Sequence, residues 1–62
     1  MTTISMETLE AKLALREISK LEKQGFSYHA QIQAAMRLLV GQGFSEKYSQ
    51  EVAEAAWDAL FD

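Results

Sequence analysis

Cysteine and proline are absent from the chain, and glycine, histidine and tryptophan are scarce, with three, one and one copies in 62 residues. Without cysteine no disulfide and no thiolate metal site can form. That leaves the redox compartment open, although an intracellular setting fits better than that of a disulfide-stapled secreted domain. The single histidine, His29, cannot build a structural zinc site without several carboxylates. The absence of proline suits helices joined by short turns. No apolar run approaches the ~20 residues that span a bilayer. The start, Met1-Thr2-Thr3-Ile4-Ser5, lacks the basic and apolar regions of a signal peptide. The expected location is therefore cytoplasmic, with no membrane partner.

Positive charge is also in short supply toward one end. Residues 46–62 hold Glu46, Glu51, Glu54, Asp58 and Asp62 against Lys47 alone, a balance of −4, whereas residues 1–45 balance at +1. An acidic segment of this kind repels a phosphate backbone and suits a basic protein partner.

What the chain does contain is a repeated punctuation. Gly-Phe-Ser occurs at Gly25-Phe26-Ser27 and again at Gly43-Phe44-Ser45. Glycine takes the left-handed backbone that ends a helix, and serine caps the next one by accepting from its free N–H groups. The phenylalanine stands just before the cap, where its ring can fold back on the first turn. These signals divide the chain into three helices of one small domain, residues 1–62, with helices over about 6–24, 28–40 and 46–60. Ser5 is the expected cap of the first helix, and Gly41 fits the C-cap of the second.

The first helix carries two apolar sides at about 100° per residue. Ala11, Ala14, Leu15, Ile18 and Leu21 mark one, and Met6, Leu9 and Leu13 mark the other. One short helix cannot cover both. Either the other two helices embrace the first, or Met6, Leu9 and Leu13 form a dimer interface, and a small helical homodimer is the expectation adopted. On the second helix Tyr28, Ile32, Ala35, Met36 and Leu39 follow one face. On the third, Tyr48, Val52, Ala55, Ala56 and Ala59 form a small-residue face with Leu60 at its edge. Trp57 and Phe61 lie away from it with Ala53. Large aromatics beyond the main stripe are candidates for anchoring a partner.

Chemistry is hard to find. His29 has no nucleophile or orienting carboxylate placed to serve it. Glu51, Glu54 and Asp58 share one side of the third helix without the loop spacing of a calcium site. Gly41-Gln42-Gly43 lacks the pattern of a phosphate loop. A chain this small does not enclose a typical substrate pocket. No enzyme activity, cofactor or metal is expected. Helices two and three have the order of a helix-turn-helix, but the would-be recognition helix is acidic, so nucleic acid is not the expected partner. The alternative is a small DNA-associated regulator using Lys12, Arg16, Lys20 and Lys23 along the first helix.

Two resemblances add to this. Gln24-Gly25-Phe26-Ser27 resembles the Gly-Phe turn between the first helices of ubiquitin-associated domains, and Ala55-Ala56-Trp57-Asp58-Ala59-Leu60-Phe61 is similar to their last helix. The first helix is longer than in that family and the second Gly-Phe-Ser departs from its pattern, so the likeness implies a three-helix fold rather than ubiquitin binding. The size, the Met1-Thr2-Thr3-Ile4-Ser5 start and the cysteine-free helical body together resemble early-region accessory proteins of lambdoid bacteriophages, from between the exonuclease and excisionase genes. That likeness implies a location in the host cytoplasm. It also implies a regulatory role in modulating host processes during lytic development, through protein contacts and without catalysis. The combined expectation is an all-α protein whose Trp57, Phe61, Glu51, Glu54 and Asp58 engage a host or other partner protein.

Overall fold

The computed structural model describes residues 4–62, and these form three α-helices without strands. Helix α1 spans Leu9–Lys23, α2 spans Tyr28–Gly41 and α3 spans Glu46–Phe61. Each helix packs against both others, so the bundle has a single centre.

The two Gly-Phe-Ser turns are built identically. Gly25 and Gly43 adopt φ of 86° and 105°, the left-handed region. In the first turn the Gly25 N–H donates to the Glu22 carbonyl at 3.1 Å and the Phe26 N–H to the Leu21 carbonyl at 3.1 Å. In the second, the Gly43 N–H reaches Val40 at 3.0 Å and the Phe44 N–H reaches Leu39 at 3.2 Å. These paired bonds are the Schellman motif, which satisfies the orphan carbonyls of a helix end. The next residue then starts the following helix: the Ser27 Oγ accepts from Ala30 N–H at 3.3 Å and the Ser45 Oγ from Tyr48 N–H at 3.1 Å. One residue separates a helix stop from a helix start. The shared segment is also longer than three residues, because a leucine (Leu21, Leu39) and a glutamine (Gln24, Gln42) precede both copies at the same spacing.

Three boundary expectations need correction. Helix α1 begins at Leu9 rather than Met6, capped by Thr8, whose Oγ1 accepts from Ala11 N–H at 3.2 Å. Ser5 caps nothing helical; its Oγ accepts from Glu7 N–H and its carbonyl accepts from the Thr8 hydroxyl. The physical reason lies in packing. Ile4 and Met6 both lie against the core, which requires the chain to bend over the bundle before the helix starts. Gly41 is the last residue of α2 rather than its cap, and Gly43 supplies the left-handed turn. At the far end α3 runs one residue beyond the expected limit, to Phe61.

The core consists of Ala11, Ala14 and Ile18 from α1, Ile32, Ala35 and Leu39 from α2, and Val52, Ala53 and Ala56 from α3. Alanines at the crossings let the helix backbones approach closely. The α3 face is rotated from the expected one. Ala53, placed with Trp57 away from the core by the pattern, is fully buried, while Ala59 is exposed. The missing element is Ser49, which is fully buried and completes the stripe Ser49, Val52, Ala53, Ala56. Gln31 is the other buried polar residue. Its amide nitrogen donates to Glu22 Oε1 at 2.7 Å and to the Phe26 carbonyl at 2.8 Å, tying α2 to the end of α1.

Candidate functional site

Helix α3 places two features side by side on its outward half. Glu51, Glu54 and Asp58 are exposed and follow one strip at helical spacing. They line an open groove of about 390 Å³ with Ala55 and Ile4. Next to that strip, one and two turns along, stand Trp57 and Phe61.

These two aromatics have different fates. Phe61 is 41% exposed. Trp57 packs against the core and is only partly accessible. Its indole N–H is buried and finds no acceptor among the described residues. The rings nonetheless form one cluster: Trp57 meets Phe61 with centroids 4.8 Å apart, and Tyr28 meets Trp57 edge-on at 4.8 Å. An edge-to-face pair such as Tyr28–Trp57 adds to simple area burial. Tyr28 is 49% exposed and Leu60 40%. Trp57 is thus the base of a surface whose accessible members are Tyr28 and Phe61. The sequence pattern assigned Tyr28 to the α2 core face. Its position at the first residue of the helix lets the ring reach past the end of the core, a signal that periodicity alone does not carry.

The dimer candidates separate in the same way. Met6 and Leu13 pack against the core of their own chain, with Met6 ahead of the helix rather than on it. Leu9 alone stands well out, at 72% exposure. The same outward side of α1 carries Lys12, Arg16, Lys20 and Lys23, all exposed. Arg16, Lys20 and Lys23 share an open groove with Ser19 and Gln24. Lys20 pairs with Glu17 at 3.4 Å, the one salt bridge among the described residues.

His29 is exposed on the first turn of α2. The Tyr48 hydroxyl donates to Glu10 Oε2 at 2.7 Å, linking the starts of α3 and α1. That bond, helped by a backbone donor, holds the Glu10 carboxyl below its usual range, and the Glu10 acceptor raises the Tyr48 phenol. Among the described residues no three or more His, Cys, Asp or Glu side chains gather to hold a metal ion. No helix among them is long and apolar enough to cross a membrane.

Comparison with protein-family models, with curated proteins and with solved structures returns no match to this chain.

Proposed function

We propose that this chain is a non-catalytic regulatory protein that acts by occupying a partner protein through α3. The observation that carries this reading is the joined surface of Tyr28 and Phe61 over Trp57, with Glu51, Glu54 and Asp58 alongside. Rigid aromatics are the side chains that dominate binding energy at protein interfaces, and a charged rim steers and orients the partner. A basic partner surface with apolar side chains complements such a face. The likeness to lambdoid early-region proteins makes a bacterial host protein the partner to look for, in the host cytoplasm during lytic development.

The test is capture from a bacterial lysate on the immobilised chain, followed by titration of the captured protein against Trp57 emission. Phe61→Ala and Tyr28→Ala change exposed rings and leave the helix content intact. Each is expected to weaken capture at least tenfold, and Glu54→Lys with Asp58→Lys to slow association. Capture unchanged in the folded Phe61→Ala and Tyr28→Ala proteins removes the reading.

A second reading has one observation of its own. Arg16, Lys20 and Lys23 line a shared groove on α1, the arrangement a phosphate backbone would meet. It predicts retention of duplex DNA in gel shifts at low salt, lost steeply as salt rises. No retention at low salt discards it.

A further inference from the structure

The outward faces of α1 and α3 carry opposite charge, and each has an exposed apolar residue. On α1 these are Lys12, Arg16 and Lys20, recurring every four residues, with Leu9 at 72% exposure beside them. On α3 they are Glu51, Glu54 and Asp58 with Phe61 at 41%. Of these six charged groups only Lys20 has an ion-pair partner among the described residues. That partner is the adjacent Glu17, and the lysine side chain is 58% exposed, so the pair exchanges at little cost.

The two strips also match in length. Lys12 to Lys20 spans about 12 Å along the helix axis and Glu51 to Asp58 about 10.5 Å, at ~1.5 Å per residue. Leu9 lies three residues beyond Lys12, and Phe61 lies three residues beyond Asp58. Set antiparallel, the two strips therefore bring Leu9 level with Phe61. Within one chain the faces cannot meet, because α1 and α3 already pack together through their inner sides.

We propose that a second copy of this chain is the occupant of the α3 face: the basic face of α1 on one molecule docks antiparallel on the acidic, Phe61-bearing face of α3 on the next. This rests on reading α3 as a docking surface, and it makes self-association a competitor of partner capture. The contact is heterologous, so it leaves one α1 face and one α3 face free and extends to short chains or a closed ring. One helix face per side is a small interface, in the weak, transient class. Because its charges are solvent-exposed, it is governed by ionic strength.

Sedimentation equilibrium of the full chain tests this over a wide concentration range, at low salt and near 1 M salt, where the screening length is about 3 Å. The weight-average mass is expected to rise with concentration at low salt and to return to the monomer value at high salt. Lys12→Glu with Arg16→Glu blocks the α1 face, and Glu54→Lys with Asp58→Lys blocks the α3 face. Each double variant alone is expected to stay monomeric, and an equimolar mixture of the two to regain association. Regain also shows that both variants are folded. A wild-type monomer at every concentration in low salt overturns the proposal. So does association that survives either reversal alone, or association indifferent to salt. The Lys12→Glu, Arg16→Glu protein keeps an intact α3. If wild type stays monomeric while this variant still captures a lysate protein in a Phe61-dependent way, the docking reading stands and self-association alone fails. If mixing restores association but Phe61→Ala leaves lysate capture untouched, the reverse holds.

Discussion

Glycine does different work at Gly43 and at Gly41, two residues apart. Gly43 sits at φ 105° and a Cβ placed there would meet nothing within 4 Å. Any penalty for alanine is therefore backbone strain, about 1–2 kcal/mol for a left-handed residue with a side chain. Gly41 is helical and equally open. Alanine there removes the entropic cost of glycine in a helix and should stabilise by ~0.5–1 kcal/mol. Urea midpoints of Gly43→Ala and Gly41→Ala are expected to move in opposite directions from wild type. The Gly-Phe-Ser signal was legible in the sequence because both its stop and its start depend on local backbone chemistry. Gly41 was misread because two glycines flank one glutamine, and only the helix length decides which one turns the chain. At the same scale, Tyr48 and Glu10 set a pH dependence. The Glu10 value is depressed in the folded state, first by the Tyr48 hydroxyl. Its contribution is therefore complete above the ordinary carboxylate range and lost as pH falls through the folded value. Tyr48 is raised from 10.0 by the same bond, so its contribution is complete below that value and lost as pH rises through the folded one. Tyr48→Phe should lower the urea midpoint at neutral pH and flatten its decline on both the acid and the alkaline side.

At the level of the element, α3 shows where periodicity misleads. Ser49 lies outside the apolar pattern, and beside Tyr48 and Val52 the face is marked mostly by alanines, so Ala55, Ala56 and Ala59 compete with Ala53. In the structure Ser49 is buried with its Oγ unpaired among the described residues, and the stripe turns toward Ala53. This rotation also draws Trp57 partly inward while leaving Phe61 outside. The candidate surface was thus half legible: Phe61 and the carboxylates follow from spacing on one helix. The support by Trp57 and the participation of Tyr28 depend on how two helices meet. The rotation has a direct check. Ala53→Leu inserts volume into a filled core and is expected to cost about 1–3 kcal/mol, whereas Ala59→Leu, on an exposed position, should leave the thermal midpoint within a few degrees. Equal effects at the two positions would return α3 to the unrotated face. The start of α1 follows the same logic, since Ser5 and Thr8 are equivalent caps on paper and only the packing of Ile4 and Met6 on the core selects Thr8.

For the molecule as a whole, the decisive fact is how little bulk the core contains. Five of its nine apolar residues are alanines, and Ile18 and Leu39 are the largest fully buried side chains. A domain of this length is held by roughly 3–9 kcal/mol, at ~0.05–0.15 kcal/mol per residue. Ile18→Ala removes about 2–5 kcal/mol by lost burial and the cavity left behind. That variant should therefore sit near its unfolding transition at 37 °C, with much of its helical circular dichroism lost, while Phe61→Ala on the surface remains folded. The marginal variant is also a sensitive detector of association. A contact made only by folded chains stabilises them by mass action, in proportion to the logarithm of concentration over the dissociation constant. If α1 of one copy docks on α3 of another, the thermal midpoint of Ile18→Ala should climb with protein concentration at low salt, and the climb should vanish near 1 M salt. The same substitution combined with Lys12→Glu and Arg16→Glu should show no climb in either condition. A concentration dependence that persists in high salt would instead place the association on apolar surface such as Leu9, and would separate the role of the core from that of the charged faces.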